Sequence, residues 1–278
     1  MKPQEKFHYL PSPHIQGVKM LSAVMKEFTF DRHAHEEYTI GITRKGRQDF
    51  FCRGANYKSH VGQMFFFNPE EVHDGNAGAG QVLEYDVFYL PADRLEPMIR
   101  AMGVDHPNHL RLKDSLISDP LFYRQVMQFG HVLQSEDSTI IEQEAGLIQI
   151  AESVARLNRR AMPLPFPTRR KDRLLLQAKD FIHDNLEHNL SIDDMSQAAN
   201  ISKYHFIRLF REQFGITPHQ YILNCRINQI RRVVESGEKI TDIAFRYGFS
   251  DVSHLNRKFK KVFGMTPKQY QRQLMYRR

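Results

Sequence analysis

Phe210-Arg211-Glu212-Gln213-Phe214-Gly215-Ile216-Thr217-Pro218-His219-Gln220-Tyr221 returns 49 residues later as Phe259-Lys260-Lys261-Val262-Phe263-Gly264-Met265-Thr266-Pro267-Lys268-Gln269-Tyr270. Phe, Phe-Gly, Thr-Pro and Gln-Tyr recur in register. Upstream, Asp194-Met195 and Asn200-Ile201-Ser202 are answered at a spacing of 48 by Asp242-Ile243 and Gly248-Phe249-Ser250, so the second copy carries one extra residue just after its turn. A repeat of this length marks two copies of one supersecondary unit.

Each copy reads as a short helix, a tight turn and a longer helix. In the first, Met195, Ala198 and Ala199 supply small apolar positions before the turn at Asn200-Ile201, and Ser202 is placed to cap the next helix. Phe206, Leu209, Phe210 and Phe214 then recur at helical spacing, which leaves Tyr204, Arg208 and Arg211 on the opposite face. The second copy sets Leu255, Phe259 and Phe263 inward and Ser253, Asn256, Arg257, Lys260 and Lys261 outward. A short helix supporting a longer one that presents cations, amides and an aromatic is the helix-turn-helix arrangement, whose second helix enters the major groove of DNA. Arginine reads guanine edges and asparagine reads adenine, while lysine mainly neutralises phosphate.

The bland alternative is a helical bundle with a solvated basic face, and the charge distribution argues against it. Residues 169–278 hold 21 Lys+Arg against 11 Asp+Glu, a net of +10, which leaves −3 for residues 1–168 out of the +7 of the whole chain. A basic region joined to a mildly acidic one suits a nucleic-acid module attached to something else.

The carboxy-terminal stretch resembles the DNA-binding region of the AraC/XylS family of bacterial transcription regulators. The resemblance rests on the two helix-turn-helix units, the Gly248-Phe249-Ser250 turn, the Phe-Gly-x-Thr-Pro-x-Gln-Tyr that closes each unit and the long helix between them. It covers about 100 residues, and it implies two recognition helices entering successive major grooves, about 34 Å apart. The connector is Pro218 to Glu235: Thr217 caps it, Pro218 takes the first helical position and Gly237 ends it. Its 18 residues make a rod of about 27 Å, the right size for that spacing. The DNA contacts the pattern implies are Ser202, Lys203, Tyr204, His205, Arg208 and Arg211 in the first unit and Ser253, His254, Asn256, Arg257, Lys260 and Lys261 in the second, with His205 and His254 beside the recognition face, toward phosphate.

Composition bounds the rest of the chain. The 278 residues allow one or two domains, and a pI near 9.3 suits a polyanionic partner. No apolar run approaches a membrane span and no signal-peptide pattern opens the chain, so a cytoplasmic location is expected. Cys52 and Cys225 lie far apart without Cys-x-x-Cys spacing, which points away from a disulfide framework or a thiolate zinc site.

Residues 1 to about 95 read as strands: Phe28 to Phe30, Tyr38 to Thr43, Gln48 to Cys52, Gln63 to Phe67 and Val82 to Tyr89, separated by breaks at Gly46, Gly54, Gly62 and Gly75 to Gly80. Many short strands suggest a small β-barrel or double-sheet jelly roll able to hold one small ligand. Within it lies His33-Ala34-His35-Glu36-Glu37-Tyr38, where strand alternation would turn His33, His35 and Glu37 the same way. A further histidine, His73, ends Asn68-Pro69-Glu70-Glu71-Val72-His73. These stretches resemble the cupin pattern, whose metal-binding members use two histidines, a carboxylate and a third histidine. Glu37 lies three or four residues short of the carboxylate in that pattern, and the second motif lacks its glycine. Three readings stay open: a first-row divalent metal on His33, His35, Glu37 and His73; a polar pocket for a small effector; or structural histidines at a barrel rim. The effector pocket, lined by His33, His35, Glu37, Tyr38 and His73, is carried forward, with no cofactor assigned. Arg47 and Tyr85 are further pocket candidates.

After Pro91 the pattern turns helical, with Asp93 to Met102, a helix started by Asp119 and Pro120, and Ile140 to Leu157. The latter two form a second layer on the barrel, and their spare apolar face suits a homodimer. Ala161-Met162-Pro163-Leu164-Pro165-Phe166-Pro167 is an extended, semi-rigid linker. The expected architecture is therefore α+β: a cupin-like barrel or jelly roll with packed helices over residues 1–160, a Pro-rich linker at 161–172, and an all-α domain with two helix-turn-helix units over 173–278.

The function expected is a ligand-responsive, sequence-specific regulator of transcription rather than an enzyme. Its partners would be double-stranded DNA, a small effector, a second copy of itself and, for an activator, RNA polymerase; no membrane is expected. The alternative is a metal-dependent cupin oxygenase or isomerase fused to a DNA-binding module. A third reading, a DNA-repair methyltransferase sharing the helical domain, needs an activated cysteine beside a zinc site, and neither cysteine has that setting.

Overall fold

The computed structural model describes residues 5–104, 110–160 and 170–275. By Cα proximity the chain divides into two units, one centred on residues 35–164 and the other on residues 165–271.

The amino-terminal half of the chain forms two antiparallel sheets. The first has the order β1-β2-β9-β4-β7-β10, from Lys6–Pro11 (β1), Lys19–Met25 (β2), Leu83–Leu90 (β9), Tyr38–Lys45 (β4), Met64–Phe67 (β7) and Leu116–Ile117 (β10). The second has the order β3-β8-β5-β6, from Thr29–His33 (β3), His73–Ala77 (β8), Arg47–Cys52 (β5) and Ala55–His60 (β6). Among the described residues this is an open two-sheet sandwich, so the jelly-roll expectation stands in outline and the closed barrel does not. β1, β2, β6, β8 and β10 were not among the segments expected from sequence.

Period-2 alternation divides each strand of the larger sheet between two cores. Tyr38, Ile40, Ile42, Met64, Phe66, Phe88 and Leu90 face outward and join one buried cluster with Leu95, Phe122, Phe129, Leu147 and Val154 from the helices Ala92–Ala101 (α1), Pro120–Gln134 (α2) and Ile140–Arg160 (α3). Asp119 accepts from the Phe122 N–H to start α2, as expected, and also holds Arg156 of α3. The alternate residues face the second sheet. There Phe50 meets Phe65 and Phe67 with ring centroids 5.6 and 5.3 Å apart, and the Thr43 and Ser59 hydroxyls bond at 2.8 Å. A Cβ on Gly41 would lie 1.7 Å from the Phe65 ring, so this strand position has to be bare for the sheets to close.

The carboxy-terminal unit is all α. Helix α4 (Arg170–Asp184) precedes the first unit of the repeat, α5 (Ile192–Ala198) and α6 (Lys203–Phe214); α7 (Pro218–Glu235) leads to the second, α8 (Ile240–Arg246) and α9 (Val252–Phe263); α10 (Pro267–Met275) follows. The connector α7 has the bounds read from sequence. Thr217 and Gln220 cap one another reciprocally at its start, Pro218 sits at the first helical position, and Gly237, with φ +93°, follows its end. α4 starts at Arg170, inside the stretch read as linker, and stops at Asp184. The proline run itself, within 161–169, lies outside the described residues, as does most of the Gly103–Asn108 loop. Among the described residues no helix is long and apolar enough to cross a membrane.

Candidate nucleic-acid interface and sensing site

The buried stripes of the two recognition helices follow the predicted spacing: Phe206, Leu209 and Phe210 in α6, where Phe214 is only half-buried, and Leu255, Phe259 and Phe263 in α9, joined by Val262, which was not expected. Each helix ends on a glycine in the left-handed region, Gly215 at φ +73° and Gly264 at +77°, where a side chain is strained and the following Thr-Pro starts a new helix. The stripes fix what is left outward. On α6, Ser202, Lys203, Tyr204, Arg208 and Arg211 are exposed, and Tyr204 shows 81% of its surface, far more than a packing role would leave. On α9, Ser253, Arg257, Lys260 and Lys261 are exposed; Asn256, His205 and His254 are half-buried. The two outer faces therefore carry the expected mixture of guanidinium, amide, hydroxyl and phenol groups.

Local partners modify three of these residues. Lys203 pairs with Asp193 at 2.7 Å, Arg208 lies 3.9 Å from Glu212 and 3.2 Å from the His205 Nδ1, and His254 packs edge-on against Phe249. Ser202 occupies the N-cap of α6 but makes no side-chain cap bond, contrary to the expectation from sequence. In the second copy the cap is Asp251, which accepts from the His254 N–H at 2.7 Å. Asp251 is the extra residue of the repeat. Its carboxyl is held below the usual range by that bond and by the Ser250 hydroxyl.

The sensing residues separate into two groups. His33 at the end of β3, His35 just beyond it and His73 at the start of β8 come together: each offers a ring nitrogen, and these atoms all lie within 4.8 Å of one another. All three are buried. β3 and β8 are hydrogen-bonded neighbours in one sheet, which is what joins the two motifs. Residues 34–37 are not strand, so the alternation expected to align His33, His35 and Glu37 does not operate there. Glu37 is buried yet falls outside the three-histidine set. Tyr38 is placed elsewhere: it faces the helices, and its hydroxyl donates to Glu96 and to the Leu110 carbonyl, because β4 begins at Tyr38 with the opposite phase. Arg47 forks onto Asp49 on the outer side of β5, away from the inter-sheet space, whereas Tyr85 shares the inner face of β9 with Tyr89.

Around the histidines the inner faces supply aromatic walls. His73 stacks on Phe67 at 3.9 Å between centroids, and His35 meets Tyr89 edge-on at 5.1 Å. The Nδ1–H of His33 donates to the Asp31 carbonyl at 2.6 Å and that of His73 to the Glu71 carbonyl at 2.8 Å. Glu71 is buried and bound by Arg53 and by the Asn68 N–H and amide, so it braces the loop that delivers His73. The inner face also holds Gln48, whose Oε1 is buried without a hydrogen-bond partner; its two neighbours along β5 are ordinary strand residues, and no local sequence signal marks it. Both cysteines are buried, and burial pushes the Cys52 thiol up to about 11, the reverse of an activated nucleophile.

The two regions match two families. Residues 21–151 match the AraC-like ligand binding domain, and residues 195–273 match a helix-turn-helix domain. An uncharacterized HTH-type transcriptional regulator of Bacillus subtilis, YbfI, is 29% identical over 250 residues, 88% of this chain and 87% of that protein. The multiple antibiotic resistance protein MarA of Escherichia coli is 38% identical over 92 residues, 33% of this chain and 72% of MarA. Among solved structures, ToxT of Vibrio cholerae with a bound unsaturated fatty acid shares the fold with a TM-score of 0.62 at 14% identity, over 99% of this chain and 98% of that one. One chain thus joins an amino-terminal ligand-binding domain to a carboxy-terminal DNA-binding domain, and it belongs to the AraC family of helix-turn-helix transcription regulators.

Proposed function

We propose that occupancy of the inter-sheet space around His33, His35 and His73 shifts the protein between states of unequal affinity for a specific operator. Such a shift requires that the bound molecule distinguish the two states energetically. The observation that carries the DNA-binding half is the pair of recognition helices whose inner stripes are buried and whose outer faces expose Tyr204 and Arg208 on one and Ser253 and Arg257 on the other. Arg208, Tyr204, Arg257, Ser253 and Asn256 read base edges; Lys203, Arg211, Lys260 and Lys261 meet phosphate.

The domains run from 1 to 160 and from the start of α4 at Arg170 onward, about the linker between them. The protein works in the cytoplasm as a homodimer, joined through the exposed Leu121 of α2 and Ile141 and Ile148 of α3, and contacts RNA polymerase if it activates. An oxygenase or isomerase reading is disfavoured because both regions of the chain match domains of ligand-responsive regulators. The test is a footprint of the full chain on its own promoter region, followed by gel shifts with Arg208→Ala and Arg257→Ala. Each is expected to weaken the specific complex and spare binding to random DNA; an equal loss on both would overturn the base-reading roles.

A further inference from the structure

We infer that the ligand of the amino-terminal domain is a late first-row divalent metal ion, cobalt to zinc, held by the Nε2 atoms of His33 and His73 together with a ring nitrogen of His35. This deepens the effector reading above and rests on it only for the consequence at DNA. A backbone carbonyl can only accept, so the bonds from His33 Nδ1 to the Asp31 carbonyl and from His73 Nδ1 to the Glu71 carbonyl place the proton on Nδ1 in both rings. In the neutral imidazole that leaves the Nε2 lone pair as the ligating position. Outer partners of this kind fix the tautomer and orientation of metal-bound histidines.

The geometry fits a single small ion. Nitrogens bound tetrahedrally at about 2.0–2.1 Å to one ion lie about 3.4 Å apart. The three ring nitrogens are within 4.8 Å of one another, so ring movements of at most about 1.4 Å per pair close the set. The rings are already oriented by Phe67 against His73 and Tyr89 against His35, so little side-chain freedom is lost on binding. The donor set decides the class of ion. Three neutral nitrogens without a carboxylate disfavour magnesium, calcium and manganese, which seek oxygen, and differ from the two-histidine, one-carboxylate face that suits iron(II) oxygenases. Three imidazoles also leave a fourth position open, where an anion or a small metabolite can bind the ion.

The experiment uses the full chain, stripped with chelator and titrated with Zn²⁺, Co²⁺, Ni²⁺ and Mn²⁺ by calorimetry, with X-ray absorption on the zinc form. One Zn²⁺ per chain is expected, with a nitrogen-rich first shell, and Mn²⁺ at least tenfold weaker. His35→Ala and His73→Gln should each weaken zinc at least tenfold, whereas Glu37→Gln should leave it unchanged. Because a histidine variant can misfold, Glu37→Gln and the shell measured on the unmutated protein keep the inference falsifiable. A stoichiometry that persists in the His33→Ala/His35→Ala/His73→Ala variant would mean an adventitious ion only and would overturn it, as would a carboxylate in the zinc shell. Operator binding by the stripped protein is measured separately. Specific binding without any metal uptake sinks the metal assignment and leaves the regulator intact; metal uptake that leaves operator affinity unchanged sinks the ion's role as signal.

Discussion

In the first helix-turn-helix unit the carboxylate cap sits on the supporting helix, where Ser191 and Asp194 cap α5 reciprocally, and the recognition helix α6 starts from Ser202 with no side-chain bond. In the second unit the arrangement is exchanged. α8 starts from Lys239 without a side-chain cap, and Asp251 caps the recognition helix α9. The turns differ too: Asn200 takes the left-handed conformation in the first at φ +50°, and Gly248 takes it in the second at +72°. What the copies share is the buried stripe and the Thr-Pro-x-Gln box after it, with Thr217 and Gln220 matched by Thr266 and Gln269. Duplication has therefore kept the packing and let the helix starts diverge. The start of α9 is fastened by its own cap, whereas the start of α6 leans on the exposed Lys203–Asp193 pair, a weak restraint at a solvated surface.

The shared part is the first place to press. Phe210→Ala and Phe259→Ala remove fully buried rings from equivalent positions, and each should cost about 3–5 kcal/mol in the stability of the carboxy-terminal unit. Calorimetry of the full chain would show the transition of that unit falling by a similar amount in both variants. A large difference between them would mean that the two stripes are not equivalent supports.

The outer faces come next. Arg208→Ala and Arg257→Ala should each cost about 1–3 kcal/mol at the cognate operator and relax one base preference. Arg208 is held beside Glu212 and His205, so some of its charge is already engaged, and Glu212→Gln should tighten operator binding where no such change arises in α9. Lys260→Ala should weaken all sequences alike and reduce the slope of log affinity against log salt by about one. Gel shifts across a salt series separate these outcomes; an unchanged slope for Lys260→Ala would remove that lysine from the phosphate contacts.

A smaller effect distinguishes the turns. Gly248→Ala places a side chain at positive φ, with its Cβ 3.0 Å from an Arg226 nitrogen, and should destabilise by about 1–2 kcal/mol. Asn200→Gly, at a position where asparagine already tolerates that conformation, should change stability by only a few tenths of a kcal/mol. Equal losses at the two turns, measured by denaturant unfolding, would contradict the divergence described above.

The carboxy-terminal unit was legible in sequence because its signals are local: a stripe at helical spacing, a glycine after it and a Thr-Pro start. The sandwich was less so. Lys19–Met25 is buried on both faces and shows no alternation, Ala55–His60 is a mostly exposed edge strand of polar residues, and His73–Ala77 contains glycine and asparagine with no β-branched residue. The histidines were found by residue type, although the strand alternation used to align them is absent. What unites them is the pairing of β3 with β8, a contact between segments 40 residues apart that no local pattern encodes. The same lack of local information misplaced Tyr38, whose phase is set by where β4 begins.

The last contrast is the caps under acid. Hydrogen bonds hold the carboxyls of Asp194 and Asp251 below the ordinary aspartate range, so each contributes stability that is present above about pH 4 and is lost as pH falls through the depressed native value. Because the two carboxyls cap different kinds of helix, acid should loosen the start of the supporting helix α5 in the first unit and of the recognition helix α9 in the second. Amide exchange followed from pH 6 to pH 3, after correction for intrinsic rates, reports this at the His254 N–H that Asp251 accepts and at the Asp194 N–H that Ser191 accepts. Asp251→Asn keeps an acceptor at the cap but removes its titration. It should abolish the acid dependence at His254 while leaving that at Asp194 in place. Persistence of the acid dependence at His254 in Asp251→Asn would show that another group governs the start of α9, and the exchange of caps between the two copies would then have no energetic meaning.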